Sequence, residues 1–260
     1  MGGRRVIVTG ASSGIGKATA ILLAQRGFDV GLGYRSNLGG VERVAEQVAA
    51  TGRNHVLCQL DHADPEAAAT AVDRAAEELG GLDAFVNNAG INHRADFLTE
   101  TVPDWQRLLT VDLTGPFACA QAAARRMVAQ GGNGRIVNVS SVHDQIPIRG
   151  GSSYCAAKGG LTMLTKVMAL ELAQYGITVN AVSPGETATP MNQVPEDVDA
   201  AGIARPMIPV GRPGRADEVA ALIAHLLEAE AAYITGVSLP IDGGLMLMSA
   251  IPNQADAGKT

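Results

Sequence analysis

The chain has 260 residues, 47% hydrophobic and 18% charged, a balance that fits one well-buried α/β domain and excludes a disordered polar chain. Its formal charge is −6 and no basic run is long enough to follow a phosphate backbone, so no nucleic-acid partner is expected. No apolar run reaches membrane length and the first residues lack the form of a signal peptide, so the expectation is a cytoplasmic protein with no membrane partner.

In chain order, VIVTG (6–10) reads as a strand ending in glycine, and KATAILLAQRG (17–27) as a helix stopped at Gly27. FDVGLGY (28–34) is a strand, 41–51 a helix, HVLCQL (55–60) a strand and 65–79 a helix. LDAFVNN (82–88) is a strand, and one long helix is expected over 103–130. RIVNVSS (135–141) is a strand, 153–175 a helix, and ITVNAVSPG (177–185) a strand with a Pro-Gly stop. A helix over 215–229 and a strand over VSLPIDGG (237–244) complete the pattern. Strands apolar on both faces alternate with helices, which predicts a parallel sheet covered on both sides, in a single unit spanning 1–260. The irregular stretch 186–212 leaves the carboxyl end of a strand, where ligands sit in such sheets, and is a candidate lid. The cysteines Cys58, Cys119 and Cys155 form no metal or redox spacing and read as small hydrophobes. The ending LMLMSAI (245–251) reads as core packing, with lid lining or a subunit interface as alternatives.

TGASSGIG (9–16) joins the first strand to the first helix. Gly10, Gly14 and Gly16 let the backbone approach a ligand, and the helix N-terminus favours an anion. A tight strand–helix turn is the bland alternative, but the position in the first βαβ unit favours a nucleotide. The second strand bears on which nucleotide. An NAD site of this architecture carries an acid at that strand's end for the ribose 2′-hydroxyl. Here GYRSN (33–37) has none, and Asp29 sits at the strand's start. Arg35 can meet a 2′-phosphate with charge-assisted bonds and Ser36 can add another, so NADP(H) is favoured over NAD(H). Asp61, ending the third strand, can accept from an adenine amino group. NNAG (87–90) is either a plain turn or a lining of the nucleotide ribose.

SSYCAAKGG (152–160) puts Tyr154 and Lys158 one helical turn apart among small residues. A free tyrosine, with a pKa of about 10, is a poor base at neutral pH, and an adjacent ammonium favours its phenolate. The pair can then exchange a proton with an alcohol oxygen that Ser141 holds by a hydrogen bond. A lone Tyr-x-x-x-Lys is usually a surface pair; its order with the glycine loop, NNAG and Ser141 makes it specific.

Together TGASSGIG, NNAG, the serines 140–141, YCAAK, VSPG and TGVSLPIDGG (235–244) resemble the short-chain dehydrogenase/reductase family over nearly the whole chain. The resemblance implies a single-domain Rossmann fold with a doubly wound, seven-stranded parallel sheet and a homotetramer with interfaces at the 160s helix and the last strand. It implies catalysis by Ser141, Tyr154 and Lys158, with Lys158 also on the nicotinamide ribose. By the same resemblance Ser12, Ser13 and Ile15 belong to the nucleotide loop, Asn87 contacts the adenosine-side ribose region, and Ala89 and Gly90 line the crevice. Pro184, Gly185, Thr187 and Thr189 lie at the nicotinamide end. The family often has a catalytic Asn in V-N-L, where VDLTG (111–115) supplies Asp112; the carboxylate either keeps the relay and raises the lysine pKa, or weakens the relay. SSVHDQIP (140–147) is similar to glucose 1-dehydrogenase and diacetyl reductase members, which turns His143 toward a substrate, loop packing being the alternative.

The expected activity is NADP(H)-dependent interconversion of a small-molecule carbonyl and an alcohol. Rivals are a sugar 1-dehydrogenase, a 3-oxoacyl-carrier-protein reductase, for which scattered arginines such as Arg125 and Arg126 offer no clear docking patch, and a nucleotide-sensing regulator, which has no need of Ser141, Tyr154 and Lys158 together.

Overall fold

The computed structural model describes residues 3–196 and 198–248. Seven parallel strands form one sheet in the order β3-β2-β1-β4-β5-β6-β7. They are β1 Arg4–Val8, β2 Phe28–Tyr34, β3 His55–Gln59, β4 Ala84–Asn87, β5 Arg135–Val139, β6 Thr178–Pro184 and β7 Ser238–Ile241. The helices are α1 Gly14–Gln25, α2 Leu38–Ala50, α3 Pro65–Glu78, α4 Val102–Leu109, α5 Gly115–Ala129, α6 Ser152–Leu172 and α7 Ala216–Leu226. The order reverses between β1 and β4, which opens a crevice at their carboxyl ends.

The apolar runs explain the layers. On one face Val6, Val8, Val30 and Leu32 pack against buried residues of α1, α2 and α7. On the other, Ile7, Phe85, Ile136 and Val179 pack against α3, α5 and α6. Each fully buried Val, Ile or Phe side chain contributes about 1.5–3 kcal/mol, so two filled faces hold the strand ends where the site needs them. Side-chain caps start several helices: Asn37 accepts from the Gly40 N–H, Asp64 from Ala67 and Thr101 from Asp104. Cys58 and Cys119 are buried thiols held protonated, burial pushing each up to about 12; Cys155 is half-buried.

Two expectations change. The long helix is not continuous: α4 ends at Leu109, Thr110–Thr114 form a π turn, and α5 begins at Gly115. Pro116 has no N–H to donate and crowds the preceding turn, so regular α pairing fails just before it. The fifth strand also stops at Val139, and Ser140 and Ser141 leave the sheet as the turn Val142–Asp144 begins. Within the candidate lid, only the short turns Pro190–Asn192 and Ala200–Gly202 are regular among the described residues. At the other end Leu245–Met248 form a single turn that places Leu245 on the crevice; residues 249–251 of the LMLMSAI stretch lie outside the described residues.

Candidate active site

The crevice holds a cavity of about 770 Å³ running from Arg35 to Leu245. Its floor begins at the glycine loop. Gly10 has φ +68°, and a Cβ there would stand 2.9 Å from Asn88 Nδ2, so only glycine fits the turn. Ser12, Ser13, Gly14 and Ile15 line the cavity where α1 begins, and the helix N-terminus there already holds one anionic group, the Glu196 carboxylate on the Gly14 N–H. Gly16 does not line it. A Cβ there would collide with the Gly10 carbonyl, so this glycine permits the helix to pack on its own loop. These features suit a pyrophosphate, and the residues present fit a dinucleotide.

At the adenosine end, Arg35, Ser36 and Asp61 line the cavity. Arg35 is exposed, and no carboxylate pairs with it among the described residues. Asp29 is engaged elsewhere: it pairs with Arg53 at 2.9 Å and accepts from the Asn54 N–H, at the far end of its strand. The placement of Asn87 differs from the expected ribose contact. It is 2% exposed, does not line the cavity, and donates through Nδ2 to the Pro116 carbonyl and to Asn138 Oδ1. It ties β4 to β5 and α5. Asn88, Ala89 and Gly90 line the cavity instead. Thr9 Oγ1 accepts from the N–H groups of both Asn88 and Ala89, which fixes that turn against the glycine loop.

The charged centre is buried. Lys158 Nζ lies 3.2 Å from Asp112 Oδ2, with side chains 7% and 0% exposed. Nζ also donates to the Val139 carbonyl at 3.3 Å and stands 5.6 Å from the Tyr154 ring centroid. Burial alone would lower the lysine pKa; the Asp112 carboxylate, then Tyr154 and Asp144, more than reverse this, and it stands above the ordinary value. Asp112 is held from its other oxygen by the Ile91 N–H at 2.8 Å. Gly90 passes so close that a Cβ would stand 2.9 Å from Asp112 Oδ2. Removing either charge would strand its partner in the interior, where it costs several kcal/mol.

Ser141 Oγ accepts from the His143 N–H at 3.2 Å, which leaves its own proton free to face the cavity. The His143 ring meets Tyr154 edge-on, with centroids 6.2 Å apart. Its Nδ1–H donates to the Ile146 carbonyl at 3.1 Å, so Nε2 is an acceptor. Burial moves the His143 pKa below the usual histidine value. Pro184, Gly185, Thr187 and Thr189 line the roof where the lid leaves β6. The lid reaches back to the glycine loop: Glu196 accepts from the Gly14 N–H at 3.1 Å and pairs with Lys17 at 2.6 Å.

Of the NNAG turn, expected to line the nucleotide ribose, Asn88 is the asparagine that faces the cavity, in place of Asn87. Asn88 was open to detection, because alternate residues of a strand end face opposite sides. Glu196 carries no spacing signal, since its contact depends on a segment distant in sequence.

The family described as Enoyl-(Acyl carrier protein) reductase matches residues 10–246. A relative from Escherichia coli (strain K12), Uncharacterized oxidoreductase YohF, is 45% identical over 241 residues, 93% of this chain and 95% of its own length. The crystal structure of acetoin dehydrogenase YohF from Salmonella typhimurium superposes with a TM-score of 0.91 at 44% identity, covering 96% of this chain and 98% of that one. A short-chain dehydrogenase from Burkholderia cenocepacia in complex with NADP gives 0.86 at 40% identity, covering 94% and 98%. The chain belongs to the short-chain dehydrogenase/reductase family. It is an oxidoreductase of alcohols and carbonyls that uses an NAD(P) cofactor and acts on small molecules. No helix among the described residues is long and apolar enough to cross a membrane.

Proposed function

We propose that this protein is an NADP(H)-dependent reductase of small ketones, aldehydes or diketones, with α-hydroxy ketones such as acetoin among its products or substrates. The observation that carries this reading is the cavity joining Tyr154, Lys158 and Ser141 to Arg35, which pairs with no carboxylate among the described residues. The cofactor, when bound, supplies or accepts the hydride. Tyr154 gives its phenolic proton to the carbonyl oxygen. The Lys158 ammonium stabilises the negative charge that this leaves on the phenol oxygen, and Asp112 keeps that ammonium charged. Ser141 donates to the same carbonyl oxygen and so orients the substrate. His143, neutral and edge-on to Tyr154, presents Nε2 as an acceptor to a neighbouring hydroxyl. An α-hydroxy ketone or a diol offers such a hydroxyl, and the relative described as an acetoin dehydrogenase supports this class.

For the adenosine end, the absence of an acid after Gly33 and the exposed guanidinium of Arg35 support a 2′-phosphate. The relative crystallised with NADP agrees with that choice. A homotetramer fits the exposed apolar residues Met163, Val167 and Leu170, spaced along one side of α6, with Phe117 on α5. Light scattering in solution tests it: four copies are expected, and a monomer contradicts it.

The test of function is a panel of acetoin, diacetyl, simple ketones and aldehydes, glucose and an acyl-thioester, each run with NADPH and NADH and in reverse with the oxidised forms. Turnover of a diketone or hydroxy ketone with a preference for NADPH is expected. Glucose oxidation as the fastest reaction, or preference for NADH, overturns the reading.

A further inference from the structure

We infer that His62 is a positioning residue for the reaction: its ring N–H holds the Val111 carbonyl of the π turn, and this bond sets Asp112 against Lys158. The inference rests on the proposed carbonyl reduction for its kinetic part. It begins from a backbone carbonyl that has lost both of its helical donors.

In an α register the Val111 carbonyl would accept from the Gly115 N–H. That N–H instead turns back to the Thr110 carbonyl. In a π register the donor would be residue 116, which is proline and has no N–H. His62 fills the place. It is 2% exposed, and its Nδ1 lies 3.1 Å from the Val111 oxygen. A carbonyl can only accept, so Nδ1 carries the proton. Burial brings the His62 pKa down to about 4; the Val111 bond and Asp61 oppose this and the Lys158 charge reinforces it. At neutral pH the ring is therefore an uncharged donor, and it adds no positive charge beside the catalytic lysine.

The approach needs space, and the sequence supplies it. A Cβ at position 115 would stand 2.5 Å from the His62 Cβ and 2.8 Å from its carbonyl oxygen, so Gly115 is what allows the turn after β3 to touch the π turn. Val111 and Asp112 are consecutive, so the direction of the Val111 carbonyl constrains the peptide that carries Asp112. That carboxylate then reaches the Ile91 N–H with one oxygen and Lys158 with the other. Without the His62 donor, a buried carbonyl is left unsatisfied, and the turn regains stability by rotating or opening.

The experiment compares His62→Leu, which keeps bulk and removes the donor, with His62→Asn, whose side-chain N–H can stand where Nδ1 does. Three quantities are read on the full chain: amide exchange across 88–92 and 110–116, kcat with NADPH, and the pH profile of kcat. The charged or titratable groups facing Lys158 are Asp112 from the π turn, Tyr154 from its own helix, Asp144 from the turn after β5, and His62 from the turn after β3. His62→Leu is expected to speed exchange at both segments, lower kcat about tenfold, and move the alkaline limb of the profile to lower pH, because Lys158 loses part of its counter-charge. His62→Asn should restore all three most of the way. If His62→Leu does not fold, His62→Met takes its place. Wild-type exchange at 88–92 and 110–116 in the donor-less variant overturns the inference, as does His62→Asn behaving no better than His62→Leu. The exchange result stands even if the wild-type protein turns over no carbonyl, which separates a failure here from a failure of the proposed activity.

Discussion

The two ends of the nucleotide crevice are built on opposite principles. At one end Lys158 and Asp112 lie almost wholly buried, locked to each other and to two backbone groups, the Val139 carbonyl and the Ile91 N–H. At the other, Arg35 and Ser36 stand at the surface just ahead of α2 with no charged partner among the described residues. In the interior, charges interact through a low dielectric, and each group sets the state of its neighbour. At the surface, water and salt screen them, and a side chain acts mainly on the ligand it meets. The buried end should therefore control chemistry, and the exposed end should control which cofactor enters.

The sharpest way to break this contrast is Lys158→Met. It removes the ammonium beside the phenol and leaves Asp112 as a buried carboxylate without its partner. Turnover should fall by about a hundredfold or more, with weaker nucleotide binding, because Lys158 stabilises the phenolate charge and, by the family resemblance, also binds the nicotinamide ribose. Steady-state kcat and nucleotide Kd measure this; a fall in one alone would separate the tasks. Arg35→Ala is next. Loss of a charge-assisted phosphate contact should reduce kcat/KM for NADPH about tenfold while NADH use stays nearly constant. The wild-type NADPH preference should also shrink as salt is raised, since the contact is exposed. Equal losses with both cofactors would erase the distinction between the ends.

Asp112→Asn gives the smallest of the three changes at neutral pH: asparagine keeps the shape and can still accept from the Ile91 N–H, but the buried ammonium loses its counter-charge, so kcat should fall about fivefold. The sign of the pH effect follows from the structure. The Asp112 charge holds the Lys158 pKa above its ordinary value, so removing that charge lowers it. Activity that requires the ammonium is then lost at lower pH, and the alkaline limb of the kcat profile moves down. An unmoved limb would mean that Asp112 does not govern the lysine. A collapse of activity in the folded variant would give the carboxylate a role of its own.

The same contrast explains what could be read without coordinates. The sheet, the glycine loop and the Tyr154–Lys158 pair were legible because each is a local pattern: alternation of strand and helix, a turn that only glycine fits, and two side chains one helical turn apart. Arg35 was legible by the absence of an acid at a defined strand end. The π turn was not, because apolar periodicity continues across 103–130, and the break arises from Pro116 together with a donor in the turn after β3. Asn87 was placed on the cofactor because it sits in the right motif, whereas strand alternation turns it inward to Asn138 and Pro116 and leaves Asn88 facing the crevice. The Glu196–Lys17 contact joins residues 179 positions apart, and nothing local announces it.

The proposed reaction turns on the Tyr154 hydroxyl carrying the proton while the surrounding framework holds the nucleotide. The most direct measurement is kcat for Tyr154→Phe on the best carbonyl substrate, taken with NADPH Kd and melting temperature on the same samples. The ring and its contact with His143 remain, so binding and folding should be unchanged, while turnover falls by the 10²–10⁴-fold typical of a lost acid–base group. A folded Tyr154→Phe protein that keeps more than about a tenth of wild-type kcat would contradict the claim, since that exceeds the residual activity expected without the donor.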